Sequence, residues 1–290
     1  MGVTASRWAR AATSYAARSA AGVPLDRSLR VTLNFHPDRL CGALTVLELL
    51  GRDGLYRSQF ETGTSNGGLT AHPGGDRWRW ERRIFGGAYD DAPLAERPKY
   101  GALNHRRRPI GAAPRFGSAH LRLIEDVLDR TTFCFPDSVF DPCDFATAQR
   151  FDLFRLAEDF DARPRTDEIE ATEGGLLDDY IEAHVHGRVE LTSDVEAVVL
   201  DPSFRGTAIE DQARALGVPV EWHEGRRLHV TDLEEHSRFR GTGSVEVGRR
   251  IAEDDLLDAA IIGRAAAAGT EDPQDLKKVW HCVARFGSPA

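Results

Sequence analysis

Short apolar runs separated by turn residues recur along the chain, and several of them alternate with polar positions. Alternation places successive side chains on opposite faces and is typical of strands, as is enrichment in Val, Leu, Phe and Thr. The predicted strands or extended segments are Leu29–Phe35, Tyr56–Thr62, Ala119–Ile124, Thr131–Phe135, Tyr180–His186, Val195–Leu200, Val218–Trp222 and Arg226–Val230. We expect the third and fourth of these to form one hairpin and the last two to form another.

Helical spacing of apolar positions appears at both ends of the chain and in short internal segments. Trp8, Ala12 and Tyr15 lie on one stripe of an N-terminal helix, which residues 22–24 end. The other predicted helices are Cys41–Leu50, a short helix carrying Trp78 and Trp80, Gly206–Leu216 and most of the last fifty residues. Strands and helices of this kind predict an α+β fold. The C-terminal helices are expected to pack against the rest of the fold.

Composition and charge narrow the class of protein. The chain has 290 residues, 41% of them hydrophobic, and a formal net charge of −9. A chain of this length can bury a real core, and its negative charge disfavours nucleic acid and anionic membranes as general partners. No apolar run is long enough to span a membrane, and the four cysteines lack the spacing of a disulfide framework or a zinc site. These features predict a cytoplasmic location without membrane association.

Two stretches carry most of the side chains that could perform chemistry. Residues 31–104 combine aromatic residues, turn residues and hydrogen-bond donors, and we interpret them as one wall of a ligand cleft. They include the glycine-rich loop Gly63–Gly75, and loops of this length are often functional. The charged segment Asp161–Glu173 holds little that could pack and is predicted to be a mobile loop.

The second stretch is the predicted strand YIEAHVHG. In a strand, Glu182, His184 and His186 share one face, opposite Ile181 and Val185. This polar face could line a cleft or simply contact solvent. It could also hold a metal ion, because the two imidazoles and the carboxylate are all metal ligands.

The order of these motifs resembles the ADP-ribosyltransferase superfamily, in the branch described by a His-Tyr-Glu triad. The matching residues are His36 at the end of a strand, the helix and turn in TVLELLGRDGLY, Tyr89 in GGAY, Tyr100 eleven positions later in KYG, and Glu182 on a late strand. The chain also resembles a bacterial family of unassigned function, with the same FHPDR, QFETGTSNGGL, ERPKYGALN and FGS blocks.

The first resemblance implies a split β-sheet core with flanking helices that binds NAD as a substrate. It implies an N-terminal helix over residues 1–28, a catalytic domain over 29–235 and a C-terminal helical extension over 236–290. Glu182 would stabilise the positive charge that develops on the nicotinamide ribose, and ADP-ribose would pass to a protein, nucleic acid or small-molecule acceptor. The residues expected to bind NAD are His36 at a ribose, Tyr89 and Tyr100 around the nicotinamide, and Arg39, Thr64 and Ser65 at the pyrophosphate.

Two other classes of function stay open. A metal-dependent hydrolase could use Glu182, His184 and His186, with His36 or His223 as a further ligand. A binding module without catalytic activity would need only the cleft. Nicotinamide release, a chelator and metal analysis would distinguish these alternatives.

Overall fold

The computed structural model of the protein describes residues 5–63, 70–163 and 177–290. Residues 64–69 of the predicted glycine-rich loop and residues 164–173 of the predicted mobile loop lie outside the described residues. The described residues form an α+β structure with a large mixed central sheet and flanking helices. Among them, no helix is both long and apolar enough to cross a membrane.

Strands and helices alternate irregularly along the chain. The strands are β1 (Val31–Phe35), β2 (Leu40–Cys41), β3 (Leu44–Thr45), β4 (Leu55–Tyr56), β5 (Lys99–Leu103), β6 (Ala119–Leu123), β7 (Thr131–Phe135), β8 (Asp144–Thr147), β9 (Ile181–Val185), β10 (Val189–Glu190), β11 (Val195–Leu200), β12 (Val220–Trp222), β13 (Leu228–His229) and β14 (Leu256–Leu257). The helices are α1 (Arg7–Ala16), α2 (Val46–Asp53), α3 (Gln59–Thr62), α4 (Asp76–Ile84), α5 (Leu153–Asp161), α6 (Leu191–Asp194), α7 (Ala208–Arg214), α8 (Val230–Glu235), α9 (Thr242–Ile251), α10 (Ala259–Ala268) and α11 (Pro273–Phe286).

The central sheet has the strand order β12-β11-β6-β1-β5-β9-β7-β8. Its neighbouring strands run antiparallel, except that β11 and β12 are parallel. The centre of the sheet therefore brings together β1, β5 and β9, which the sequence separates widely. These three strands carry or adjoin His36, Tyr100 and Glu182.

The two faces of the sheet differ in chemistry because side chains alternate along each strand. One face carries apolar residues that join the main core, among them Leu33, Leu121 and Ile181. The opposite face carries polar residues that are also buried, including Asn34 and Glu182. Burial of polar groups in the middle of a sheet is costly unless they are paired. The buried polar side chains therefore make this face the candidate for a functional site.

The C-terminal helices pack against the sheet rather than standing apart from it. Val279 and Trp280 of α11 belong to the same hydrophobic cluster as Leu33 of β1. The Trp280 side chain is completely buried, and its indole N–H donates a hydrogen bond to the Pro114 carbonyl over 2.8 Å. Helix α11 therefore contributes directly to the core beneath β1.

Two local predictions are wrong in part. The segment 56–62 is extended only at β4, because Ser58 and Glu61 form a capping box that starts helix α3. Helix α2 begins at Val46 rather than at residue 41, since Thr45 and Glu48 form another capping box after the short β2–β3 hairpin. A capping box satisfies backbone N–H groups locally, and it outweighed the apolar pattern in both places.

Both predicted hairpins are also wrong. The strands β6 and β7 exist, but β1, β5 and β9 lie between them, and a 3₁₀ helix over Glu125–Arg130 connects them. Strand β12 pairs in parallel with β11, whereas β13 pairs with β14. Sequence proximity favoured local pairing, but β6 pairs with β1 and β11, and β7 pairs with β8 and β9.

Candidate functional site

A cavity of about 230 Å³ lies at the polar face where β1, β5 and β9 meet. Apolar side chains from α2 and β4, among them Leu50 and Tyr56, form part of its wall. Helix α11 contributes Lys277 to another part. The polar and charged residues that line the cavity are Asn34, His36, Arg39, Arg57, Gln59, Thr62, Arg77, Lys99, Tyr100, Arg115, Asp137, Glu182 and Lys277.

Glu182 supplies the carboxylate of the candidate triad. It lies in the middle of β9 and is only 5% exposed. The Ser138 hydroxyl lies 3.1 Å from Glu182 Oε2 and accepts a 2.8 Å hydrogen bond from Arg77 Nη1. Burial raises the pKa of Glu182 above that of an ordinary glutamate, while the Arg77 charge and the hydrogen bonds oppose this rise.

The neighbouring histidines are part of a buried hydrogen-bond chain, so the predicted strand face does not contact solvent. His184 and His186 are completely buried. Burial is the main cause that lowers the pKa of His184 to about 3 and holds the pKa of His186 well below its usual value. The Thr132 hydroxyl lies 3.1 Å from His184 Nδ1 and 2.9 Å from His186 Nε2. Tyr89 Oη lies 2.7 Å from His186 Nδ1, and His184 Nε2 lies 2.9 Å from Glu182 Oε1.

One assignment of protons satisfies every bond of this chain. Tyr89 donates to His186 Nδ1, His186 Nε2–H donates to Thr132, Thr132 donates to His184 Nδ1, and His184 Nε2–H donates to Glu182. Both imidazoles are then neutral, in agreement with their lowered pKa values. The chain holds the Glu182 carboxylate in one orientation from behind.

Tyr89 supports the site from outside the cavity, whereas the resemblance to ADP-ribosyltransferases places it beside the nicotinamide. It is 2% exposed and packs among Trp80, Phe85 and Ala12 rather than along the cavity wall. Its phenol ring is held by the polar bond to His186. A tyrosine hydroxyl that is buried needs such a partner, and this need decided where the ring points.

Tyr100, by contrast, lines the cavity. Its hydroxyl donates a 2.8 Å hydrogen bond to Glu81 Oε1, and Glu81 is also paired with the buried Arg97 at 2.5 Å. The Arg77 guanidinium lies 4.0 Å from the centroid of the Tyr100 ring. Helix α4, which carries Arg77 and Glu81, thus fixes the position of Tyr100.

His36 and Arg39 lie at the end of β1 and also line the cavity. The His36 ring packs edge-on against Trp280, with 5.2 Å between ring centroids. Burial, assisted by the Arg39 charge, lowers the pKa of His36 to about 3, so its imidazole is neutral. A neutral imidazole can both donate and accept a hydrogen bond. Thr64 and Ser65 lie outside the described residues.

Several charged residues of the cavity were not expected from the sequence. Asp137 follows β7 and accepts hydrogen bonds from the Val139 amide at 2.7 Å and from the Tyr180 hydroxyl. Burial and then the nearby Glu182 charge raise the pKa of Asp137 to about 7. The signal available was a polar pair directly after a buried apolar strand, in FCFPDS. Nothing local marked Arg77 or Arg115 as cavity residues.

The predicted metal ligands are assembled only in part. Among the described residues, ligand atoms of Cys134, Glu182 and His184 lie within 4.8 Å of one another, and all three residues are buried. His186 is not in this group, because its ring nitrogens face Tyr89 and Thr132. His223 lies elsewhere, 2.8 Å from the Ser118 carbonyl. The predicted pairing of His184 with His186 at one ion is therefore not present.

Comparison with known protein families identifies the family of this chain. Residues 30–160 and 155–286 match the family model described as "Protein of unknown function (DUF3626)". The chain belongs to the DUF3626 family. No curated protein matches it. The DUF3626 match includes every described residue of the cavity and brings no assigned activity with it, so the resemblance to ADP-ribosyltransferases rests on the residues themselves.

Proposed function

We propose that this DUF3626 protein cleaves the bond between nicotinamide and ribose in NAD and transfers ADP-ribose to an acceptor. One observation carries the proposal: His36 and Arg39 of one motif, Tyr100 of a second and Glu182 of a third all line a single cavity. The proposal includes an ADP-ribosyltransferase-like core, which the adjacency of β1, β5 and β9 supports.

The residues of the cavity fit the nicotinamide end of NAD better than the whole molecule. Its volume of about 230 Å³ lies just below the usual range of about 300–1,000 Å³ for ligand pockets. The Tyr100 ring suits a flat heterocycle, and the Arg39 guanidinium suits a phosphate oxygen. The rest of the dinucleotide would lie towards the mouth of the cavity.

Glu182 would perform the main electrostatic task. Positive charge develops on the ribose as the nicotinamide bond breaks, and an ionised carboxylate at that position stabilises it. Ser138 and the His184 chain keep the carboxylate fixed, so little reorganisation is needed. His36, as a neutral imidazole, would donate to or accept from a ribose hydroxyl.

The direct test is the effect of NAD on the purified protein. We expect NAD to raise the melting temperature and free nicotinamide to accumulate with time. If NAD neither stabilises the protein nor is cleaved by it, with or without added protein, RNA or DNA acceptors, the proposal fails.

The activity should depend on pH through Glu182. Because burial raises its pKa, the acid limb of kcat is expected to have its midpoint above the ordinary value of about 4.3. Arg77→Gln removes a charge that favours the ionised form, so the midpoint should move to higher pH, whereas Arg77→Lys should move it less. A pH–rate profile with its midpoint at the ordinary value would contradict this role.

Substitutions of Tyr100 and Tyr89 should have different effects, the first on NAD affinity and the second on the free energy of unfolding. Tyr100→Ala is expected to weaken NAD binding about tenfold, or ~1.4 kcal/mol, since it removes the aromatic ring proposed to contact the nicotinamide. Tyr89→Phe should leave the Kd for NAD within twofold but lower the free energy of unfolding by about 1–3 kcal/mol, because His186 Nδ1 loses its partner. Calorimetric titration and urea unfolding measure the two quantities. The reverse pattern would show that Tyr89 is the ligand-binding ring.

A metal-dependent hydrolase is a second candidate, supported by the cluster of Cys134, Glu182 and His184. The nearby Arg77 charge disfavours a cation there, and we therefore rank it below NAD cleavage. Under this candidate, a chelator and Cys134→Ser would each abolish activity, and purified protein would contain stoichiometric zinc or iron. Under NAD cleavage, neither treatment should reduce nicotinamide release by a large factor.

A further inference from the structure

A group of basic side chains lies where the C-terminal helices meet the cavity. Lys277 and His281 are one turn apart on α11, Arg115 lies in the 3₁₀ helix Pro114–Phe116, and Arg240 precedes α9. We call these four residues the cationic wall. Lys277 and Arg115 line the cavity itself, so this part of the wall can contact a ligand there.

The cationic wall contains buried polar atoms that lack partners. His281 is 4% exposed, and neither of its ring nitrogens has a hydrogen-bond partner among the described residues. The same holds for Nε and Nη2 of Arg240 and for Nε of Arg115. Buried donors are rarely left unpaired, because each costs about 1–3 kcal/mol. Several such atoms in one place indicate a ligand that supplies acceptors.

The charges of the wall point to an anion. Burial and the charges of Arg115, Arg39 and Arg240 lower the pKa of Lys277, and burial with Arg115 lowers the pKa of Arg240 to about 10. Burial, followed by the charges of Arg240, Arg115 and Lys277, holds the pKa of His281 well below its usual range. Cations therefore oppose one another here, in a protein whose net charge is −9.

The acids near the wall do not neutralise it. Asp178 pairs with Arg115 through Nη1, and the Asp137 charge also acts on Arg115. Both acids lie on the Arg115 side. Asp137, moreover, has its pKa raised to about 7 and carries its charge only part of the time at neutral pH. Arg240 and His281 are left facing positive charge.

We propose that the cationic wall binds a phosphate or diphosphate group. Guanidinium groups bind phosphate oxygens by paired, charge-assisted hydrogen bonds, and a lysine adds a point charge. His281 would supply one more donor from its buried ring. The phosphate could belong to the diphosphate of NAD or to the acceptor. The choice between these two sources rests on the proposed function, whereas the phosphate site itself does not.

The test compares two adjacent lysines of α11. Lys278 is 43% exposed and paired with Asp275 at 2.8 Å, so Lys278→Ala is a matched control for Lys277→Ala. Inorganic pyrophosphate is titrated into the wild-type protein and each variant by calorimetry. We expect Lys277→Ala to weaken pyrophosphate binding at least tenfold and Lys278→Ala to leave it within twofold.

A second variant keeps the test decisive if Lys277→Ala folds poorly. Arg240→Gln keeps the stem of the side chain and removes its charge, and Arg249→Gln on the exposed surface is its control. Loss of pyrophosphate binding in Arg240→Gln but not in Arg249→Gln supports the cationic wall. Equal binding by wild type, Lys277→Ala and Arg240→Gln, or no binding by the wild-type protein, overturns it.

Competition with NAD identifies the source of the phosphate. If NAD displaces pyrophosphate, the wall holds the diphosphate of the dinucleotide. If the two bind together, the wall holds a phosphorylated acceptor. If pyrophosphate binding depends on Lys277 but NAD neither binds nor is cleaved, the phosphate site stands and the proposed function fails.

Discussion

Glu182→Gln is expected to reduce the rate of nicotinamide release by about 10²–10³-fold, or ~3–4 kcal/mol in the barrier. The substitution preserves the shape of the side chain and removes only its charge. Its amide oxygen can still accept from His184, and its amide nitrogen can face Ser138. Folding and NAD binding should therefore survive, and the loss should appear in kcat.

The measurement is the steady-state rate of nicotinamide release at saturating NAD, which gives kcat. Glu221→Gln is a control, because Glu221 lies exposed on the edge strand β12, away from the cavity. It should retain wild-type turnover. A Glu182→Gln protein that still binds NAD and turns it over at the wild-type rate would remove Glu182 from the catalytic role.

Trp280→Ala is expected to lower the free energy of unfolding by about 3–5 kcal/mol. The indole is completely buried, donates to the Pro114 carbonyl and packs against the His36 ring. Its removal leaves a cavity, an unpaired carbonyl and a histidine without support. NAD affinity should fall as well, since His36 and the cavity wall depend on the same contact.

Urea unfolding followed by circular dichroism measures this change. Trp280→Phe keeps most of the apolar volume and loses the hydrogen bond, so it should cost less than Trp280→Ala. Trp222→Ala, at a half-buried edge position, provides a second comparison. A loss below about 1 kcal/mol for Trp280→Ala, the range of an exposed site, would show that α11 contributes little to the core.

The strands that carry or adjoin Glu182 and His36 could be predicted because their signal is local, whereas strand β5, which carries Tyr100, was not predicted. Alternation over YIEAHVHG put Glu182 and His184 on one face, and β9 has this arrangement. The apolar run before His36 likewise gave β1. The pairing of those strands could not be predicted. Which strands become neighbours depends on burial of both faces of the whole sheet, and that is not encoded in any short window.

The roles of individual side chains likewise depend on tertiary contacts that the sequence does not show. Tyr89 and Tyr100 look alike in the sequence, and only the His186 partner of one and the Glu81 partner of the other distinguish them. Arg77 is a third case. It lies among the exposed arginines of α4, yet it is 4% exposed and lines the cavity.

By itself, the sequence determined the α+β class, the positions of β1 and β9 and the candidates His36, Tyr100 and Glu182. These features follow from side-chain alternation and from residue chemistry along a few positions. The tertiary structure alone decided that these residues share a cavity with Asp137, that Tyr89 supports the site from behind, and that Lys277 of α11 and Arg115 line the same cavity. The reason is physical: burial and electrostatic fields depend on every element packed around a group, whereas a sequence motif contains only the group and its neighbours in the chain.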